Sequence, residues 1–223
     1  AAAPRPQGGH GTGGQERRTT LVEEAIRQFG REGYKGASLE SIASAVGVRK
    51  QTLLYYFPTK DALLEACLQA AGTRVAEEIA SALEGKETYW DRAEAVIHAV
   101  FALAEEWPEF PMFLREAGRL GAEGFERFAS VIGPLRKRAV DFLQSGMDSG
   151  EIREQDPALL LFMLYTAVVG SLTEASVLNA VVGKDKSRAS LRRREREVNA
   201  FVRSALQPTS SEVEAMSVRQ DPP

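Results

Sequence analysis

From Glu16 onward the apolar residues keep a helical period with few interruptions. Leu21, Val22, Ala25, Ile26 and Phe29 share one face of a first helix, which the punctuation ends near Gly30 and Gly33. Leu39, Ile42, Ala43 and Val46 form a short second face, with Ser38 placed as its N-cap and Gly47 as its stop. A third short helix runs from about Lys50 to Tyr56 and ends before Pro58. Thr59 caps a fourth, whose inner stripe is Leu63, Leu64, Cys67, Leu68 and Ala71. Further helices are expected at Trp90 to Glu105, Glu109 to Ala117, Gly121 to Gln144, Asp156 to Asn179 and Ser190 to Leu206. No stretch alternates at period two for long enough to make a strand. The pattern therefore predicts an all-α fold of about nine helices.

Two segments depart from simple amphipathicity. Ala158 to Leu172 is apolar almost all round, yet too short for the roughly 18 to 20 residues that span a bilayer. A helix of that kind is covered on every side. One stripe faces its own core, and the other is expected to meet a second subunit, with Leu160, Leu164, Val168, Leu172 and, from the last helix, Phe201 as the candidate dimer face. At the other extreme, residues 1–15 hold five Gly and two Pro with little apolar content, and read as a tail. Gly9, Gly11 and Gly14 match the spacing of a dinucleotide-binding loop there, but no Val/Ile-rich strand precedes them, so the match is compositional. Pro208 to Pro223 reads as a second tail, and no secretory signal is evident at the N-terminus.

The 223 residues fit one domain or two unequal ones, and a 43% hydrophobic fraction is enough to bury a real core. A single cysteine, Cys67, excludes an internal disulfide; with only His10 and His98 beside it there is no ligand set for a structural metal. The expected compartment is the cytoplasm. A net charge of -3 argues at first against a nucleic-acid partner. Divided at Lys60, the chain changes character: residues 1–60 carry nine Lys and Arg against five Asp and Glu, a net of +4, leaving -7 for the remainder. The N-terminal quarter is suited to an anion and the body is not.

That quarter contains two short helices separated by a Gly47 turn, the length and punctuation of a helix-turn-helix whose second helix enters the DNA major groove. Leu53 and Phe57 turn inward against Ile42 and Ile26, so Arg49, Lys50, Gln51, Thr52, Tyr55 and Tyr56 are left on the outward arc. Gln can address an adenine edge, Thr a base or the thymine methyl, and Arg or Lys guanine or phosphate. Ser38, Tyr55, Tyr56 and Lys60 are therefore expected to position the DNA backbone, and Arg49, Lys50, Gln51 and Thr52 to read bases.

The stretch resembles the TetR (tetracycline-repressor-like) regulators. The matching residues are Ala25, Phe29, Gly33, Tyr34, Ser38, Ile42, Ala43, Ala45 to Val48, Lys50, Thr52, Leu53, Tyr55, Phe57, Lys60, Leu63 and Leu64. It departs from the family pattern at Arg49, Gln51, Leu54 and Tyr56, so base preference does not carry over. The resemblance implies a dimeric, ligand-responsive transcriptional regulator, usually a repressor, bound to double-stranded palindromic operator DNA and released by a small, mostly apolar effector. It implies a DNA-binding domain over 16–60 and a helical ligand-binding and dimerisation domain over 61–206.

Of the 17 aromatic residues, 11 fall between Tyr89 and Tyr165. They make a solid core or line a cavity between helices; Phe101, Trp107, Phe110, Phe113, Phe128, Phe162 and Tyr165 are the candidate lining, with His98 and Arg115 to orient a ligand. Cys67 on an apolar stripe reads as a buried, inert thiol, and Arg192 to Arg196, interleaved with Glu195, as a solvated face. No nucleophile, carboxylate pair or phosphate loop sits in a catalytic setting, and no cofactor is called for. A helical small-molecule-binding protein without DNA function is the alternative.

Overall fold

A computed structural model describes residues 12–208 apart from 120, 184 and 186; the side chains at 12, 121–129, 131, 132 and 175 also lie outside the described residues. The helices are α1 (Thr12–Gly36), α2 (Leu39–Ala45), α3 (Lys50–Tyr56), α4 (Lys60–Leu83), α5 (Tyr89–Glu106), α6 (Phe110–Ala117), α7 (Gly121–Asp148), α8 (Pro157–Thr173), α9 (Ala175–Val181) and α10 (Arg188–Leu206). No strand occurs among the described residues, and none of the helices is long and apolar enough to cross a membrane. The fold is all-α, as expected.

The extra helix beyond the expected nine arises at Glu174, whose backbone (φ −86°, ψ 52°) breaks the segment expected to run from Asp156 to Asn179. Side chains explain the break. Arg194 on α10 donates to the Ser171 carbonyl at 2.7 Å and Arg115 on α6 to the Thr173 carbonyl at 3.3 Å. A continuous helix would offer those carbonyls to the amides of residues 175 and 177. Arg115 also pairs with the Glu174 carboxylate at 3.2 Å.

At the other end α1 starts at Thr12, four residues inside the stretch expected to be a tail. The rest of that expectation, and the one for residues 209–223, lies outside the described residues. Gly33, not Gly30, interrupts α1: its φ of 76° and ψ of 163° are open only to glycine. Gly30 has a different task. A Cβ there would stand 2.5 Å from the Glu109 carbonyl oxygen and 3.3 Å from the Phe113 nitrogen, so the backbones of α1 and α6 meet where only a hydrogen fits.

Two cores follow. The first joins Leu21, Val22, Ala25, Ile26 and Phe29 of α1 to Ile42, Leu53, Phe57 and the α4 stripe, and is completed by Phe110, Phe113 and Ala117 of α6. The second gathers Ile97 and Phe101 of α5, Leu143 and Ile152, Leu160 and Val168 of α8, and Val202 and Leu206 of α10. The head core thus extends well past Lys60 and borrows α6 from the body.

This arrangement inverts the expected dimer stripe on α8. Leu160 and Val168 are buried inside their own chain, and Leu164 and Leu172 pack against the same cluster. Leu160 and Val168 leave almost no surface for a second subunit, whereas Leu164 and Leu172 stay partly exposed. Leu159, Phe162, Met163 and Tyr165 of α8 are exposed, with Phe162 keeping 65% of its surface, and Phe201 on α10 is exposed as well.

Candidate nucleic-acid interface

Local chemistry fixes the two turns that present α3. The Ser38 hydroxyl accepts the Ser41 amide at 3.0 Å, capping α2, and the Thr59 hydroxyl accepts the Ala62 amide at 3.0 Å, capping α4. Gly47, at φ 75°, turns the chain between α2 and α3, and the Val48 amide closes back on the Ala43 carbonyl at 2.9 Å. Arg49 begins α3 without a side-chain cap, so its guanidinium is not committed to the helix end.

The inner face of α3 is the apolar one: Leu53 and Phe57 are buried, alongside Ile26 and Ile42. Arg49, Lys50, Gln51 and Tyr55 are exposed and Thr52 is partly so, which leaves a polar ridge over an apolar base. Tyr55 keeps 81% of its surface and sets its ring edge-on to Tyr56 with centroids 5.3 Å apart. Lys50 lies 3.8 Å from the exposed Glu40, a loose pair that solvent screens. Tyr56 is half-buried, packed against the head core.

Lys60, expected to meet phosphate, is placed differently from the α3 residues. Its ammonium donates to the Ala37 carbonyl and lies 4.5 Å from the centroid of the Tyr34 ring. Burial pulls its pKa below the ordinary lysine value, opposed by the adjacent Asp61 carboxylate. Ala37 immediately precedes the α2 cap, so Lys60 ties the entry of α2 to the start of α4. The Tyr34 hydroxyl bonds Asp61 Oδ1 at 2.7 Å, and the Tyr34 amide donates to Glu116 Oε1 of α6 at 2.8 Å. Tyr34 is the point where α1, α4 and α6 are joined.

Of the expected pocket residues, Trp107, Phe110 and Phe113 share the head core, while Phe101, Phe162, Tyr165 and His98 do not join them there. Trp107 stacks on Phe110 at 5.1 Å, Phe113 packs on Phe29 at 6.5 Å in the head core, and Phe101 lies in the second core. Phe162 and much of Tyr165 face outward instead of into a cavity; partial burial still pushes the Tyr165 phenol above its ordinary pKa. His98 is exposed and bonds Glu195 at 2.7 Å, and Arg115 is held at the end of α8. Phe128 lies outside the described residues. Aromatic side chains in this span pair with one another first, so clustering in sequence does not separate packing from a lined cavity.

A model of bacterial regulatory proteins of the tetR family matches residues 21–67, from within α1 through the first third of α4. The HTH-type transcriptional regulatory protein RaaS of Mycobacterium tuberculosis is 36% identical over 156 residues, covering 68% of this chain and 68% of its own. The chain belongs to the TetR family.

As a TetR-family protein it is a DNA-binding transcriptional regulator. Its architecture agrees with solved structures at low identity. The regulator FadR of Bacillus subtilis, in complex with stearoyl-CoA, superposes with a TM-score of 0.71 at 18% identity, over 84% of this chain and 98% of that one. AibR, in complex with isovaleryl coenzyme A and operator DNA, gives 0.68 at 19% identity, over 83% and 97%. The TetR-family signature accounts for Tyr34 and Lys60 of the joint just described. Glu116, which accepts the Tyr34 amide, lies 82 positions from Tyr34 and no local pattern marks it. Arg18, whose guanidinium stands 5.1 Å from the centroid of the Phe57 ring, was equally absent from the expected site.

Proposed function

We propose that this chain is an operator-binding repressor that works as a homodimer in the cytoplasm and releases DNA when a small, mostly apolar effector binds. The carrying observation is the polar ridge of α3, held over a buried apolar base by two capped turns in a head of net positive charge. In the proposed division, residues 16–60 read DNA and 61–206 bind effector and partner. Arg49, Lys50, Gln51 and Thr52 face base edges, while Ser38, Tyr55 and Tyr56 set register on the backbone.

The outward apolar row of Leu159, Phe162 and Met163 on α8, with Phe201 on α10, supports pairing of two copies. Two α3 helices on a two-fold axis then meet successive major grooves about 34–36 Å apart. FadR and AibR share the fold and were each solved with an acyl-CoA, which favours an effector with an apolar acyl or similar part. Such an effector acts by its differential affinity for the DNA-bound and free arrangements.

Selection of duplexes from a random-sequence pool by the full chain tests the reading. A pseudo-palindromic consensus with half-sites spaced by one helical turn, or somewhat more on bent DNA, is expected. Recovery of no preferred sequence at moderate salt would leave only a helical binding protein.

A further inference from the structure

We infer, resting on the DNA-binding reading above, that Gln28 is a positioning residue for operator recognition: through the Ser41 hydroxyl it holds the roll of α2, and so sets how the Ser38 turn and α3 face the duplex. Gln28 is a polar side chain in an apolar place. It keeps 7% of its surface, on a helix whose buried neighbours are Ala25, Ile26 and Phe29. Its amide is committed at both ends. Nε2 donates to Glu24 Oε1 at 2.9 Å, and Oε1 accepts the Ser41 hydroxyl at 2.8 Å. The other Glu24 oxygen takes the Arg27 guanidinium. An ionised carboxylate only accepts, so Glu24 fixes which way the amide points, and the Ser41 proton is thereby aimed inward.

Apart from this bond, α2 packs on the head along a single line. Leu39, Ile42, Ala43 and Val46 fall at i, i+3, i+4 and i+7, a stripe on one side of the helix, with Ile42 and Ala43 buried and the other two packed beside them. A stripe fixes where a helix lies but resists rotation about the helix axis only weakly. Ser41 stands one residue, about 100°, around from Ile42. Its bond to Gln28 therefore acts off the stripe, where it opposes roll. The Ser41 amide is also gripped by the Ser38 hydroxyl at 3.0 Å, and the turn into α3 closes with the Val48 amide on the Ala43 carbonyl at 2.9 Å. Roll of α2 thus moves both the cap turn and the start of α3.

With its proton committed to Gln28, Ser41 has no donor left for a phosphate oxygen, so its part is to place other groups. Charge attraction to the backbone survives a small rotation, whereas hydrogen bonds to base edges need alignment. Loosening α2 therefore costs operator recognition more than general affinity for DNA.

Affinities for a duplex recovered by the full chain from a random pool, and for an unrelated duplex of equal length, test this in Ser41→Ala, Ser41→Thr, Gln28→Leu and the double variant Gln28→Leu/Ser41→Ala. Ser41→Ala is expected to lower operator affinity by about 2- to 12-fold, the range that one hydrogen bond supplies, and to bind the unrelated duplex as the parent does. Ser41→Thr keeps the hydroxyl and should match the parent on both. Gln28→Leu keeps a side chain of similar bulk and should repeat the Ser41→Ala loss, and the double variant should lose no more than either single change. Ser41 is exposed, so its variants report on the bond even where the Gln28 change disturbs folding. Parental operator affinity in Ser41→Ala, an equal fall on both duplexes, losses that add in the double variant, or a Ser41→Thr variant that falls with Ser41→Ala would each overturn the assignment. Failure of the unaltered chain to bind any duplex would instead remove the DNA reading itself, and this inference with it.

Discussion

Gln51 and Tyr55 stand one helical turn apart on the exposed ridge of α3, but their chemistries differ. An amide can bridge two atoms of an adenine edge, whereas a phenol hydroxyl makes one bond to whatever oxygen it meets. Gln51→Ala is accordingly expected to relax preference at one base position, at about 1–3 kcal/mol of discrimination, while binding to unrelated DNA stays close to that of the parent. Competition titrations with single-base operator variants measure this, and an equal loss on every sequence would assign Gln51 to the backbone. The Ser38 and Thr59 caps were legible in the sequence because a hydroxyl and the amide it caps lie three residues apart. The engagement of Lys60 was not, because its acceptor, the Ala37 carbonyl, lies 23 residues away and any residue type supplies a carbonyl. Cys67 behaves as its position on an apolar stripe suggested: it is fully buried, and the loss of hydration pushes its thiol well above the ordinary cysteine pKa.

Among the elements, α6 carries more than its eight residues suggest. Two adjacent side chains on it reach in different directions, Glu116 to the Tyr34 amide in the head and Arg115 to the end of α8 in the body. Through these two side chains α6 links the end of α8 to the turn that precedes α2. Glu116→Ala removes a charged acceptor from a backbone amide, and a loss of about 1–3 kcal/mol in stability is expected. Operator affinity should fall with it. Glu116→Gln keeps an acceptor oxygen and should recover most of both, as read by thermal melting and by operator titration; equal behaviour of the two variants would show that the amide contact is not what matters. Helix boundaries were legible wherever caps, glycine or proline mark them. The break at Glu174 was hidden because arginines from two distant helices cause it. The stripe of α8 that faces inward was hidden for another reason: with nearly every position apolar, the sequence offers no contrast from which to choose a side.

For the whole molecule, that choice decides how two copies would meet in the proposed dimer. Phe162→Glu places a charge on an exposed position and should yield folded monomers in sedimentation velocity. Leu160→Asp buries a charge in the second core, where it costs folding itself. Dimers that survive Phe162→Glu would move the contact off the outer face of α8. The aromatic concentration in the body revealed that a large core exists but not which members pack on one another, since stacking of Trp107 on Phe110 is a tertiary event. The division of charge was sounder as a guide, because it depends only on composition. The seam at Gly30 bears on the history such a protein can have. Across it Gly30 faces the Glu109 carbonyl and Cβ and the Phe113 nitrogen, so even the smallest change, Gly30→Ala, is expected to act as a wedge that shifts α1 against α6. In the proposed dimer, variants altered there should fold and still pair, yet hold their two reading helices at a fixed wrong spacing and fail to respond to effector. A genetic screen for variants locked in one regulatory state is expected to return this glycine, even though the neighbours it meets are backbone and Cβ atoms of its own chain.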